Sequence, residues 1–271
     1  MKLIGSRSRH FRRGLAALSW LAFGVAAAPA VAADQISMRV EVYGPLNLHV
    51  LTLHTRLERN GDSYAVMADY ATTGVAGLVV DQKTHAQARG RVTPVSAQPE
   101  SFRSDTRRNG VERHNRVDYR PDGSLEAGSD PPPPQPMTPE AARGTVDNLT
   151  AYFRLERQLA AKKTCAMTVP VFDGRHRYDL VFEDAGQKTL SPESGQRFEG
   201  TTIACRMTRH LRGVPDGEQG EGARQGTIWY APLLSGDVVV PVRMQLDTQI
   251  GVVDAYLAEL HGRGVDLQLM E

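Results

Sequence analysis

Alternation of apolar and polar positions dominates the chain from residue 34 onward. In Arg175–Phe182, Tyr178, Leu180 and Phe182 fall on one side, and Arg177, Asp179 and Val181 on the other. This two-residue period is that of a half-buried strand. Leu46–Arg59 alternates as well, with Leu48, Val50, Thr52 and His54 against His49, Leu51, Leu53 and Thr55. Further strands are expected at Ile36–Tyr43, Ser63–Thr73, Leu78–Ala88, a run ending at Arg108, Val111–Tyr119 and Met167–Phe172. Later ones follow at Phe198–Leu211, Thr227–Ala231, Val238–Thr248, Val252–Leu260 and Val265–Leu269. About a dozen strands is more than a flat sheet holds before it curls or splits. Asn60-Gly61, Asn109-Gly110 and Asp173-Gly174 each lie between two such runs and predict two-residue turns with left-handed backbone at both central positions. The pattern predicts a mainly β fold: a curved antiparallel meander forming an open or spiral β-barrel.

The period changes to helical once. Asp147 is placed to cap Asn148–Ala161, where Leu149, Tyr152, Leu155 and Leu159 share one face with Phe153 beside them. This amphipathic helix, over about 147–161, is expected to plug the opening of the curved sheet. A Pro-rich loop, 130–139, precedes it, with Pro139 suited to a first helical turn and Gly144 to a break. A Gly-rich loop occupies 213–226, and its glycines match neither phosphate-cradling nor dinucleotide spacing.

Residues 1–33 follow a different order: Lys2, Arg7, Arg9, Arg12 and Arg13, then an apolar run from Leu15 to Ala28, then Ala30-Val31-Ala32-Ala33. That order predicts a secretory signal peptide cleaved near Ala32 or Ala33. Residues 34–271 would remain as a single β-rich domain in the periplasm. The apolar run falls short of the roughly 20 residues of a membrane span, so no integral membrane protein is expected. Export changes the reading of the cysteines, Cys165 and Cys205: in an oxidising compartment such a pair predicts a disulfide. Closing a loop of about 41 residues would contribute roughly 4 kcal/mol in the chain-entropy model. A reactive thiol is the rival reading.

Charge excludes more than it identifies. Lys and Arg number 32 against 31 Asp and Glu, a net charge of +1, and this offers no case for nucleic acid. A local excess surrounds Asn109-Gly110, where Arg103, Arg107, Arg108, Arg113, Arg116 and Arg120 cluster, diluted by Asp105, Glu112 and Asp118. It reads either as a positive face for an anionic partner or as an edge hairpin kept unpaired by charge. The histidines appear scattered, and strict alternation puts His49 and His54 on opposite faces, so no metal site and no cofactor is expected. Neither G-x-S-x-G nor S-x-x-K occurs, so no catalytic residue is assigned and no enzyme is expected. For binding, Trp229 and Arg243 offer an aromatic platform and a cation on late strands.

The order of several segments resembles a large uncharacterised family of exported proteobacterial proteins, defined by a domain of unknown function of about 200 residues behind a signal peptide. The matching pieces are Val40-Glu41-Val42-Tyr43-Gly44, Gly61-Asp62-Ser63-Tyr64, Thr73-Gly74-Val75-Ala76-Gly77-Leu78 and Pro99-Glu100-Ser101-Phe102. Asp147-Asn148-Leu149, Asp173-Gly174-Arg175, Ile228-Trp229-Tyr230, Pro241-Val242-Arg243 and Gly251 continue the order. The resemblance implies a curved antiparallel sheet with a helix, no assigned catalytic residues, and a link to envelope maintenance. The function expected is non-enzymatic work in the cell envelope, with a lipid, a glycan such as a peptidoglycan fragment, or a protein partner held in the concave face. The alternative is an envelope hydrolase acting on glycans or esters.

Overall fold

Ile36, Val40, Leu57, Tyr64, Ala88, Phe102 and Val117 are all buried, each on the same side of its strand as the next. A computed structural model describes residues 34–94, 96–213, 223–248 and 251–271. The leader, and residues 214–222 of the Gly-rich loop, lie outside the described residues.

The first half of the chain forms β1 (Asp34–Tyr43), β2 (His49–Asn60), β3 (Ser63–Thr72), β4 (Gln82–Val92), β5 (Ala97–Arg108), β6 (Val111–Tyr119) and β7 (Leu125–Asp130). The second half forms β8 (Met167–Phe172), β9 (Arg177–Leu190), β10 (Gly200–Arg212), β11 (Gln225–Ala231), β12 (Val240–Thr248), β13 (Gly251–Gly262) and β14 (Val265–Gln268). All 14 belong to one sheet, ordered β7-β6-β5-β4-β3-β2-β1-β13-β12-β11-β10-β9-β8, with β14 added on β13. Each half is thus a run of successive hairpins. The two are joined where β1 pairs antiparallel with β13.

The sheet does not close by strand pairing, because β7 and β8 end the order without meeting. The intervening chain fills the seam. Val146 bridges Val171 in parallel, its N–H donating to the Pro170 carbonyl at 3.0 Å, and Arg175 donates to Ser129 Oγ at 2.6 Å. Helix α2 (Asn148–Lys162) then packs inside the curve against β3, β4, β5 and β8, burying Thr150, Ala151, Phe153, Leu155 and Leu159. Asp147 caps it as its position predicts, accepting from Thr150 N at 2.8 Å and from Thr150 Oγ1 at 2.7 Å. The Thr150 hydroxyl lies 2.8 Å from that of Tyr64, which ties helix to sheet.

Several local expectations are corrected. The strand expected from Leu78 begins only at Gln82, because Gly74–Val79 turns into a short helix, α1. Leu125–Asp130, which carries no clear alternation, nonetheless pairs with β6, so the arginine-rich β5–β6 hairpin is not an edge. Asn109-Gly110 has the expected turn, with both residues left-handed. The first turn sits one residue later, at Gly61-Asp62, between the paired Asn60 and Ser63. At Asp173-Gly174 the loop runs to His176, closed by Asp173 Oδ1 accepting from the N–H groups of Arg175 and His176.

Candidate functional site

The face of β1–β6 turned away from α2 carries the side chains that alternate with the buried set. Strand register sorts them into rows. One row reads Glu259, Arg39, His54, Asp69, His85, Asp105, His114 and Asp130, from β13 across to β7. Directly opposed residues on antiparallel strands hold their Cβ atoms about 5 Å apart, so carboxylate and imidazole meet. His85 Nδ1 lies 2.6 Å from Asp69 Oδ1, His114 Nδ1 lies 2.6 Å from Asp105 Oδ1, and Arg39 Nη2 donates to Glu259 at 2.7 Å. The hydrogen bond to Asp105 holds His114 protonated above the ordinary histidine range.

Two positions along each of β1 to β6 lies a second row: Trp229, Arg243, Tyr256, Glu41, Thr52, Ala71, Lys83, Arg107 and Glu112. Between the two rows, over β2 to β6, runs a groove of about 520 Å³. Thr52, His54, Asp69, Ala71, Lys83 and His85 line one part of it, and Asp105, Arg107, Glu112 and His114 the other, with Tyr70, Thr84 and Thr106. The histidines that look scattered in sequence are therefore not scattered in space: three of them enter one groove.

A bulge adds a fourth nearby. Tyr43 pairs with His49 where Val42 pairs with Leu51, so Val50 is extra, and the alternation flips. The His49 ring consequently reaches Glu41 Oε2 at 2.7 Å and the Thr73 hydroxyl at 3.2 Å. This corrects the expectation that His49 and His54 face opposite ways. Burial works to raise the Glu41 carboxyl, but hydrogen bonds from Thr52, Arg39 and His49 outweigh it and hold the group below its ordinary range. Among the described residues, no three His, Cys, Asp or Glu side chains converge in a way that could hold a metal ion.

Trp229 and Arg243 are cross-strand neighbours. The Arg243 guanidinium sits 5.3 Å from the Trp229 ring centre and 5.6 Å from that of Tyr256. It also pairs with Glu193 and, at 3.6 Å, with Asp254. Lys188 covers Trp229 at 5.6 Å, leaving the ring only 8% exposed. Both side chains are engaged by the protein's own groups. Cys165 and Cys205 form a disulfide, with Cα atoms 5.7 Å apart. Beside it Asp184, opposite Cys205, accepts from the Cys165 N–H at 2.6 Å.

No spacing in the sequence reports the groove. Its side chains are aligned by the registers of the successive strands β2 to β6, and the row continues beyond the groove where β1 meets β13 and brings Arg39 to Glu259 across 220 residues. The local signal that exists is a histidine or aspartate in mid-strand, at an outward position, on five successive strands from His54 to His114.

A model of a protein family of unknown function, DUF3108, matches residues 37–258. A crystal structure described as a β-barrel-like protein of domain of unknown function DUF1849 from Brucella abortus is similar over 85% of this chain and 97% of that chain. Its sequence identity is 11% and its TM-score 0.48. No curated protein matches the chain.

Proposed function

The chain belongs to the DUF3108 family of unknown function, and from that premise we propose that it is an exported, non-enzymatic protein of the cell envelope that binds a glycan in the outer groove. The leader is removed near Ala32 or Ala33, and the protein works in the periplasm; the disulfide and the composition of residues 1–33 support this.

The observation that carries the binding reading is the groove between the two rows. It sets cations (Lys83, Arg107), carboxylates (Asp69, Asp105, Glu112), imidazoles and hydroxyls around a floor that includes Ala71. A sugar chain offers hydroxyls and amides to such groups on every residue, and an amino-sugar glycan with attached carboxylates, as in peptidoglycan fragments, uses both signs of charge. An acyl chain would leave these charged and hydrogen-bonding groups unpaired. The concave face, the expected location, is occupied by Phe153, Leu155 and Leu159 of α2.

The imidazole–carboxylate pairs give the hydrolase reading its one support, since such a pair can serve as a general base. Among the described residues neither His85 nor His114 is bonded to a Ser, Thr or Cys side chain, which favours binding over nucleophilic catalysis. Calorimetric titration of the mature protein with soluble peptidoglycan fragments tests the proposal. Saturable heat that is lost in Asp105→Ala and His85→Ala, with the fragments recovered intact, is the expected result. Turnover of the fragments, or no heat at all, contradicts it. Mass measurement on periplasmic protein should find the chain starting at Ala33 or Asp34.

A further inference from the structure

Among the described residues, six large apolar side chains are exposed: Leu46 (92%), Leu78 (87%), Val79 (79%), Val111, Val252 and Leu48. They are dispersed in sequence and gathered in space. Leu46 and Leu48 lie in the β1–β2 connection, Leu78 and Val79 at the end of α1 between β3 and β4, Val111 where β6 leaves the β5–β6 turn, and Val252 where β13 begins. In the antiparallel order these four connections stand side by side at the same end of the sheet. The opposite end, at Gly61-Asp62, 120–124 and Arg263-Gly264, exposes no large apolar side chain among the described residues.

We propose that this rim docks on a lipid surface carrying anionic head groups. Neighbouring strands are about 4.8 Å apart, so successive hairpin tips recur about every 10 Å and form a line of aliphatic prongs rather than a flat patch. A protein partner needs a surface of matching shape, whereas hydrocarbon accepts isolated aliphatic side chains of any arrangement. Leu46, Leu78 and Val79 stand almost clear of their neighbours, as insertion requires and as a preformed protein interface does not. Charge points the same way. Beside Leu78, Val79 and Val111, the tips and first strand positions carry Lys83, Arg107, Arg108 and Arg113 against Asp81 and Glu112, four cations to two carboxylates. Clustered cations at a membrane-facing edge attract anionic leaflets, and aliphatic side chains beside them supply the buried apolar area. The apolar prongs lie outside the groove, while the charged flank shares Lys83, Arg107 and Glu112 with its lining, so docking would hold that end of the groove close to the bilayer.

The test is flotation of the mature chain with vesicles of phosphatidylethanolamine and phosphatidylglycerol. It is run beside a Leu78→Asp/Val79→Asp double variant, a Val111→Asp variant, and Leu78→Trp as a depth reporter over the constant background of buried Trp229. The wild type should float, each Asp variant should lose at least about tenfold in vesicle-bound protein, and the L78W emission should be quenched by lipids brominated in their acyl chains. Unchanged thermal unfolding separates lost binding from lost fold. The proposal is overturned if the wild type does not float, if the Asp variants float equally well, or if brominated chains leave the L78W emission untouched. Self-association that the Asp variants abolish, without vesicle binding, would assign the rim to a second copy and equally overturn it.

Discussion

His114 Nδ1 lies 2.6 Å from Asp105 Oδ1, its directly opposed partner across β5 and β6. That hydrogen bond is the largest influence on the histidine and raises its pKa above the ordinary 6.5, against an opposing contribution from desolvation. A pKa raised on folding stabilises fully below the unfolded value, and the contribution fades as pH rises through the folded one. The expected outcome is that the His114 imidazole titrates at higher pH in the wild type than in Asp105→Asn. Equal NMR midpoints in the two proteins would break the link. The pair is exposed, so the change should register in titration far more than in thermal stability.

Asp147 has the same sign of pH dependence from a different cause. Its complete burial pushes the carboxyl up to about 6, while the bonds from Thr150 pull it down. Because the folded pKa exceeds the unfolded one, stability falls as pH rises from about 4 to about 6, by roughly 3 kcal/mol. In Asp147→Asn the cap is retained and the Asn amide can donate to the Thr150 hydroxyl, so that slope should vanish. Asp147→Ala should cost about 1–2 kcal/mol through the lost cap. Urea unfolding at pH 4 and pH 7 checks both. Burial also raises Glu156, to about 8, which extends the decline beyond pH 6, less steeply because that side chain retains contact with solvent.

Replacing both cysteines by alanine should lower stability by about 4 kcal/mol, because the Cys165–Cys205 bridge ties the end of α2 to β10 across β9. Denaturant midpoints of the double variant and the wild type measure this. A loss below about 1 kcal/mol would mean that the Asp184 hydrogen bonds alone hold the connection.

The alternation of Tyr178, Leu180 and Phe182, the Asp147 cap and the Leu155–Leu159 face were legible in the sequence, because each depends on neighbours within a few positions. Strand β7 was not, since Leu125 is its one buried side chain and pairing with β6 supplies the rest. Nor was the orientation of His49, which one extra residue, Val50, reverses. The groove was least legible of all. Its side chains are ordinary outward positions until the registers of four successive antiparallel pairings align them, and a one-residue slip in any connection, such as the shift of the first turn to Gly61-Asp62, changes which residues meet.

Trp229 and Arg243 separate the two possible locations for binding. Arg243→Ala removes a guanidinium held between two rings and leaves Glu193 and Asp254 without it. It should therefore cost about 1–3 kcal/mol of stability while leaving glycan affinity unchanged. Affinity lost at constant stability would move the site to this end of the row.

Ligand binding in the outer groove, as proposed, is read directly by imidazole NMR. On titration with soluble peptidoglycan fragments, the signals of His54, His85 and His114 should shift together and saturate, while those of His210 and His261 stay in place. Shifts confined to His210 and His261, or a perturbed Trp229 indole with the three groove histidines unmoved, would contradict the account.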